Sequence, residues 1–245
     1  MFPNIQIKKG AFVLSDAHYS HHRPQLLDFL KEIHSQKLKP TQLILMGDIF
    51  DTLFGGIPNT IDANLEAVKL INDISLEIEV IYLEGNHDFN IKNIFPHAKV
   101  FKISQQPLES EFNGRKILLA HGDFGSNMGY KIYTSWIRSS LTLALLNIIN
   151  YLGSNIILKK LDEYLTKKDD CKEFIGFYAF VANRLENRYQ CEYFIEGHYH
   201  QNKTIKFTKF IYINLGAFAC NQRYFIVKSL KDTELLEEIN FSKEI

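Results

Sequence analysis

Residues 80–88 read VIYLEGNHD, a stretch in which an apolar run passes directly into polar residues. The run from Val80 to Leu83 is rich in β-branched and aromatic residues, which is typical of a buried strand. Gly85 permits a sharp turn after it. The next three residues are an amide, an imidazole and a carboxylate, and they follow the strand end, where the sites of open α/β sheets gather. One such cluster could be an ordinary loop, so its meaning depends on the other strand ends.

Apolar runs of the same kind recur along the chain, and each predicts a strand. Besides VIYL at 80, they are AFVL at 11, QLILM at 42, KILLA at 116, YFIE at 193 and FIYIN at 210. Apolar residues at helical spacing from Leu26 to Ile33 and from Leu65 to Ile74 separate the first three strands, which indicates a β-α-β-α-β beginning. Asn113 and Gly114 lie between two extended runs and predict a two-residue hairpin turn. We therefore expect antiparallel pairing in the later part.

Five predicted strands are followed immediately by residues that can bind a metal. The sequences are SDAH at 15, GDIFD at 47, GNHD at 85, HGD at 121 and GHYH at 197. Any one of them could be a helix cap or a turn. Because possible metal ligands follow all five strands, we instead favour a shared metal centre. The candidate ligands are Asp16, His18, Asp48, Asn86, His121, His198 and His200.

The donor atoms of these candidates indicate the metal and the reaction. Oxygen and imidazole nitrogen without a thiolate suit Mn, Fe or Zn better than Mg. The set is too large for one ion, and Asp48 is the predicted bridge, because a carboxylate can join two ions about 3.5 to 4 Å apart. Two divalent ions outweigh the charge of Asp16 and Asp48, so the centre would attract an anionic ester. It would also activate water and stabilise the transition state, which predicts hydrolysis at phosphorus.

Residues beside the ligands have predicted supporting roles. We predict that His87 protonates the leaving oxygen or stabilises the transition state, and that Asp88 orients His87 and supports its charge. The alternative for His87 is a further metal ligand. For Asp88 and Asp51 the alternative is a cap or a turn hydrogen bond. Asp123 is predicted to support His121 rather than to bind metal.

Length, charge and cysteine content limit the class of protein. A chain of 245 residues can form one large domain, or one domain with a sizeable insertion. The 28 basic and 28 acidic residues balance, which disfavours nucleic acid as a partner. Cys171, Cys191 and Cys220 have no disulfide or metal spacing, so we expect free thiols in a reducing compartment. The amino terminus lacks the apolar stretch of a secretory signal, and we expect a cytoplasmic protein.

In this order, DAH, GDIFD, GNHD, HGD and GHYH resemble the motifs of the calcineurin-like metallophosphoesterase superfamily, from about residue 11 to residue 218. The resemblance implies an α/β fold, a four-layer α/β/β/α sandwich with a helical insertion. It also implies how two divalent metal ions are bound. One ion would be held by Asp16, His18, Asp48 and His200, and the other by Asp48, Asn86, His121 and His198.

More narrowly, the spacing is similar to that of the UDP-2,3-diacylglucosamine hydrolases of lipid A biosynthesis. These enzymes release UMP and 2,3-diacylglucosamine 1-phosphate (lipid X). The resemblance implies attack at the α-phosphorus of a lipid-linked nucleotide sugar, with Mn²⁺ as the expected metal and Fe or Zn as alternatives. It also implies peripheral association with the inner face of a membrane. The best-known branch has arginine at the position of His87, whereas other branches and other superfamily members keep histidine.

Residues 125–190 are the predicted helical insertion, and residues 1–124 and 191–245 are the predicted core. Within the insertion, the stretch SSLTLALLNIINYLGSNIIL, residues 139–158, contains no charged residue. Its length approaches the roughly 20 residues of a membrane span, but its polar residues and Gly153 favour two helices bent there. Arg138 before it and Lys159 after it would flank an apolar surface suited to interfacial docking.

Composition alone favours a helical hairpin that buries its apolar face on the core or in a dimer. The family resemblance favours a lid that holds acyl chains over the metal centre. By the same analogy, Tyr130, Lys131 and Arg138 are candidate contacts to phosphate or sugar. Two other functions stay open at this point. One is a soluble phosphoesterase acting on a nucleotide, a cyclic diester or a phosphoprotein, and the other is a non-catalytic interaction module with the same sandwich.

Overall fold

The computed structural model describes residues 5–124, 128–228 and 235–243. Up to residue 124 the elements are β1 (Ile5–Gln6), β2 (Phe12–Leu14), α1 (Gln25–His34), β3 (Leu43–Leu45), β4 (Leu53–Phe54), α2 (Pro58–Ala63), α3 (Leu65–Glu77), β5 (Val80–Leu83), β6 (Asp88–Phe89), β7 (Lys99–Phe101), β8 (Leu108–Phe112) and β9 (Arg115–Ala120). After it come α4 (Met128–Ile137), α5 (Ser140–Leu152), α6 (Ile156–Lys167), α7 (Phe177–Leu185), β10 (Tyr193–Glu196), β11 (Lys203–Lys206), β12 (Ile211–Asn214), α8 (Phe218–Asn221), β13 (Arg223–Val227) and β14 (Leu236–Asn240). All six predicted strands and both predicted helical segments are confirmed.

Two six-stranded sheets form the centre of the molecule. The first has the order β14-β13-β2-β3-β5-β7, and the second has the order β1-β8-β9-β10-β12-β11. The predicted hairpin joins β8 and β9, with Asn113 and Gly114 both at positive φ. The predicted change to antiparallel pairing is only partly right, because β9, β10 and β12 run parallel to one another while β11, β13 and β14 pair antiparallel.

The sheets face each other, and the side-chain alternation of each strand divides its residues between two cores. In β3, for example, Ile44 packs into the core between the sheets, whereas Leu43 and Leu45 pack against α1 and α3 on the outer face. Helix α7 covers the outer face of the second sheet. The layer order is therefore α/β/β/α, which confirms the predicted four-layer sandwich.

The predicted insertion divides into two structurally different parts. Helices α5 and α6 pack on the loop region around β4 and β6, where Leu143 meets Ile57 and Phe89. They are bent by 98° relative to each other, which confirms the predicted break near Gly153. Helix α7 differs from the prediction, because it packs into the outer core through Val181 and is part of the sandwich. Among the described helices, none alone has the length and apolarity of a membrane span, and only the bent pair α5 and α6 passes that test together.

Cys171 and Cys220 form a disulfide, and the prediction of free thiols is wrong for these two residues. The fold brings the segment between α6 and α7 against α8, so the two Cα atoms lie 5.8 Å apart although 49 positions separate them in sequence. Such a pairing has no local sequence signal. Cys191 is the free cysteine. The cysteine argument for a reducing compartment loses its basis, and a cytoplasmic location stays a prediction.

We predict that replacing both Cys171 and Cys220 by serine lowers the free energy of unfolding by about 2 to 4 kcal/mol, because the disulfide restricts the unfolded chain. The melting temperature of the double variant should fall, and that of the wild type in dithiothreitol should fall to the same value. Cys191→Ser is the matched control, and dithiothreitol should lower its melting temperature as it lowers that of the wild type. A wild-type melting temperature that does not respond to dithiothreitol would contradict the disulfide.

Candidate metal centre

The predicted ligands come from the carboxyl ends of strands in both sheets and meet in one place. Three groups have ligand atoms that all lie within 4.8 Å of one another. They are Asp16, His18 and His200, then Asp48, His121 and His198, and then His18, Asp48 and His87. Asn86 joins the second group, since its Oδ1 lies 3.4 Å from Nε2 of His121. Asp48 belongs to two groups, which is the position that a bridging carboxylate requires.

Several candidate ligands have a backbone conformation that is rare for residues other than glycine. Asp16, His18, Asp48, His198 and His200 all have φ between 46° and 62°. Non-glycine residues in this left-handed region are uncommon and cost roughly 1–3 kcal/mol each. Such strain persists where the surrounding structure fixes it, and it clusters at functional sites. The backbone conformation therefore indicates a functional site at these positions, independently of the side-chain chemistry.

The rings of His18 and His121 are oriented for metal binding through Nε2. Nδ1 of His121 lies 3.0 Å from the carbonyl of Met46, and Nδ1 of His18 lies 3.1 Å from Oδ1 of Asp51. An oxygen acceptor at Nδ1 fixes the tautomer that leaves Nε2 free to bind a metal. Nε2 of His18 is buried and has no hydrogen-bond partner in the described part of the structure. A metal ion would give that atom its missing partner, so the residues fit the ions that the motifs imply.

Two glycines allow the loops to approach as closely as the centre requires. A Cβ atom on Gly85 would lie 2.2 Å from Oδ1 of Asp48, and a Cβ atom on Gly197 would lie 2.5 Å from Oδ2 of Asp16. Real Cβ atoms do not approach other atoms so closely. The glycines in GNHD and GHYH are therefore required because a neighbouring carboxylate occupies the space of a side chain.

The buried charges in the centre shift one another's pKa values. Burial alone would raise the pKa of Asp48, but His121 beside it outweighs burial and lowers that pKa well below its ordinary value. Burial likewise opposes the charge of His121, and Asp48 nevertheless raises the His121 pKa well above its ordinary value. Burial and the His121 charge together lower the pKa of His198 to about 3. His198 is thus a neutral imidazole, the form that binds a metal.

Asp88 has the alternative role given above, hydrogen bonds to turns, rather than the role of orienting His87. Its carboxylate accepts hydrogen bonds from the backbone N–H groups of Asp48, Ile49 and Gly85 and from the hydroxyl of Tyr82, at 2.7–3.0 Å. These contacts tie the GDIFD turn to the GNHD turn. The prediction that Asp88 orients His87 is corrected, because Nδ1 of His87 instead contacts the carbonyl of Asp51 at 2.9 Å.

Asp51 and Asp123 both lie beside the centre. Asp51 orients two histidines, His18 through its carboxylate and His87 through its carbonyl. Asp123 contacts Arg138, with 3.6 Å between Oδ2 and Nη2, and burial raises its pKa. The contact that fixes the His121 ring is made by the carbonyl of Met46, a backbone group that side-chain motifs do not reveal.

Sequence reasoning missed a buried ion pair behind the centre. Arg184 of α7 pairs with Glu196, the residue before GHYH, and donates at 2.9 Å to the carbonyl of Gly122 in HGD. Its guanidinium also lies about 5 Å from the ring centroid of Tyr199. Arg184 therefore holds two ligand-bearing turns together. The one sequence feature that could have indicated this ion pair is Glu196, a charged residue at the end of an apolar strand.

A largely apolar cavity of about 330 Å³ lies beside the centre. Asn86 and His87 form part of its wall, and the other lining residues are Phe54, Ile57, Phe89, Tyr133, Thr134, Ile137, Arg138, Leu143, Leu146, Asn150, Ile157, Leu158 and Leu161. Arg138 donates at 2.8 Å to the carbonyl of Gly85, and its Nη1 is buried with no hydrogen-bond partner among the described atoms. The side chains of Tyr130 and Lys131 lie outside the described part of the structure.

Comparison with known proteins shows the family. The calcineurin-like phosphoesterase family matches residues 11–202, and the chain belongs to it. It is a metal-dependent phosphoester hydrolase of the α/β/β/α class. The protein named UDP-2,3-diacylglucosamine hydrolase in Histophilus somni is 22% identical over 227 residues, which are 86% of this chain and 94% of that protein.

Two further comparisons are shorter or more distant. The protein of the same name in Stenotrophomonas maltophilia is 30% identical over 113 residues, so this chain spans only about half of its length, 45%. The solved structure of the E. coli phosphoesterase Yfce matches with a TM-score of 0.47 at 13% identity, over 94% of this chain and 98% of that chain. At that distance the structural likeness carries no argument about function.

We predict that Asp88→Asn weakens Mn²⁺ binding by about tenfold or more, because an amide NH₂ would face backbone donors and release the turns that carry Asp48 and Asn86. Isothermal titration calorimetry measures the affinity, and a thermal melt verifies that the variant is folded. Tyr82→Phe is the matched control, since it removes one donor and leaves the carboxylate, and it should cause a smaller loss. Unchanged affinity in folded Asp88→Asn would show that Asp88 does not position the ligands.

Proposed function

We propose that the protein hydrolyses the pyrophosphate bond of UDP-2,3-diacylglucosamine to UMP and 2,3-diacylglucosamine 1-phosphate. One observation carries the proposal, namely the apolar cavity whose wall includes Asn86 and His87. A phosphoester hydrolase acting on a small soluble ester needs the metal centre alone. A nucleotide sugar with acyl chains needs an anion-binding centre directly beside an apolar chamber, and this combination supports the lipid substrate. The names of the relatives support the same assignment.

Arg138 is the proposed contact to a substrate phosphate. It lies in the cavity wall, with its guanidinium 5.1 Å from the ring centroid of Phe89 and hydrogen bonded to the carbonyl of Gly85. These contacts leave Nη1 buried and without a partner in the described structure. A phosphate oxygen would satisfy this donor with a charge-assisted hydrogen bond. The fixed position of the guanidinium would reduce the entropic cost of that contact.

The proposed cofactors are two divalent ions, with Mn²⁺ expected and Fe or Zn as alternatives. When bound, they would supply the positive charge that activates water and stabilises the reacting phosphoryl group. Asp16, His18, Asp48 and His200 would hold one ion, and Asp48, Asn86, His121 and His198 would hold the other. The carboxylates of Asp16 and Asp48 would balance part of the charge of the ions, and His18 would bind through its free Nε2.

His87 is the proposed proton donor to the leaving group. Its Nδ1 contacts the carbonyl of Asp51, and this contact directs Nε2 toward the centre, 3.9 Å from Oδ2 of Asp48. His87 also lines the cavity, so it lies between the metal ligands and the position proposed for the substrate. In its protonated form, Nε2–H is the donor that faces the scissile bond.

The proposed location is the cytoplasmic face of the inner membrane, with peripheral attachment. The support is the outer side of α5, where Leu141, Leu145, Ile148 and Leu152 follow one another at helical spacing and are 56–81% exposed. Trp136 at the end of α4 is also exposed. Contiguous exposed apolar surface on a soluble domain indicates a binding surface, and aromatic residues favour a membrane interface.

We predict that His87→Gln lowers kcat by about 10² to 10⁴ while leaving metal binding intact, because it removes proton transfer but none of the assigned ligands. Steady-state kinetics and metal content by mass spectrometry test the two parts separately. His97→Gln replaces an exposed histidine elsewhere and should behave as wild type. Loss of one metal ion in His87→Gln would identify His87 as a ligand instead.

The decisive experiment incubates the purified protein with Mn²⁺ and UDP-2,3-diacylglucosamine in detergent, and we expect release of UMP. Leu146→Glu places a charge in the cavity and should reduce lipid turnover at least about tenfold more than turnover of a small chromogenic diester. Leu141→Glu is the matched variant on the outer side of the same helix, where Leu141 is 81% exposed. It should retain turnover in detergent and lose binding to anionic lipid vesicles.

The opposite results would favour other assignments. No UMP release together with good turnover of a soluble ester would identify a soluble phosphoesterase acting on a nucleotide, a cyclic diester or a phosphoprotein. Equal loss on both substrates in Leu146→Glu would contradict the acyl chamber. Undiminished vesicle binding by Leu141→Glu would contradict membrane docking through α5.

A further inference from the structure

A second cluster of metal-type side chains lies on the surface, and it shares no residue with the catalytic centre. His21 and His22 belong to the loop that follows β2 in the core, and Asp162 belongs to α6. The ligand atoms of these three residues all lie within 4.8 Å of one another. Nε2 of His22 lies 3.6 Å from Oδ2 of Asp162. The cluster therefore bridges the sandwich and the helices that cover the cavity.

The turn that carries the two histidines is held in place independently of any metal. Ser20 and Arg23 pair with each other through their backbones, so His21 and His22 occupy the tip of a tight turn. Arg23 also forms a salt bridge with Asp170, with a distance of 2.7 Å. At the tip, the two imidazole rings lie with their centroids 3.6 Å apart. Nitrogens of two imidazole rings this close to each other can bind the same cation.

We propose that His21, His22 and Asp162 form an additional Zn²⁺ site that attaches α6 to the core. Two imidazole nitrogens and one carboxylate oxygen are a donor set that Zn²⁺ binds, with water as a fourth ligand. A single Zn²⁺ and one carboxylate leave a net positive charge, and the exposed position gives water access to the ion. The site differs from the catalytic centre in having one carboxylate and no bridging group, so it holds one ion.

The position of Asp162 gives this site a structural consequence. Leu158 and Leu161 of the same helix line the apolar cavity. An ion bound between α6 and the core turn would restrict movement of that helix and thereby fix one wall of the cavity. The proposal does not depend on the identity of the substrate, since metal binding and helix protection are measured without turnover.

The test uses the whole 245-residue chain, saturated with Zn²⁺ and freed of unbound metal by gel filtration. Zinc per chain is then measured by mass spectrometry. We expect the double variant His21→Ala/His22→Ala and the single variant Asp162→Asn each to contain about one Zn²⁺ per chain less than wild type. His97→Ala removes an exposed histidine elsewhere and should contain as much zinc as wild type. Melting temperatures without added zinc verify that the variants are folded.

Hydrogen exchange tests the attachment of α6. In wild type, added Zn²⁺ should slow exchange of the backbone amides of Ile156–Lys167, and in the double variant it should not. Equal zinc content in wild type and both site variants would overturn the proposal. So would an equal loss in His97→Ala, because that result indicates non-specific surface binding. If the site variants lose zinc as expected but Zn²⁺ does not slow exchange in wild-type α6, the cluster binds metal and the attachment of α6 is refuted.

Discussion

The backbone amide of His198 donates to the carboxylate of Asp16, and this contact joins the two sheets at the metal centre. The N–Oδ2 distance is 2.9 Å, although the residues are 182 positions apart. Asp16 follows β2 of the first sheet and His198 follows β10 of the second. Gly197 makes the approach possible, because a side chain there would overlap the carboxylate. The remaining ligands follow strands of one sheet or the other, so the centre exists only when the sheets pack with these ends together.

The residues that meet at the candidate metal centre could be predicted because each lies within a few residues of a strand, and strands have a clear local pattern. A buried parallel strand reads as an apolar run, and in this chain the ligand follows it directly, as Asn86 follows β5. The Asn113–Gly114 hairpin was predictable for the same reason, since positive φ at both positions selects these residue types. The bend between α5 and α6 was also predictable from a local feature, because Gly153 and nearby polar residues interrupt the apolar stretch. The local features indicated an α/β beginning, and the four-layer sandwich was implied by the family resemblance of the motifs.

The parts that could not be predicted depend on contacts between distant segments. In the sequence, helix α7 cannot be distinguished from the rest of the predicted insertion. The packing of Val181 on the second sheet shows that the helix belongs to the sandwich. The Cys171–Cys220 disulfide and the Arg184–Glu196 pair likewise join segments whose spacing carries no signal. Asp88 is a motif residue whose position was predictable. Which of its two expected roles it has could not be decided from the sequence, because its partners are mostly backbone N–H groups that any sequence would offer.

Helix α5 is apolar on two sides, and the two sides have different environments. Leu143 is buried and Leu146 lines the cavity, whereas Leu141 and Leu152 are exposed. A surface helix of a globular domain normally presents polar residues outward, so the apolar outer side of α5 indicates a binding surface. The proposed membrane surface would be the partner of this binding surface, and it would also be the source of a lipid substrate. Because the opposite side of the same helix lines the cavity next to His87, the proposed membrane surface and the proposed acyl chamber would share one helix.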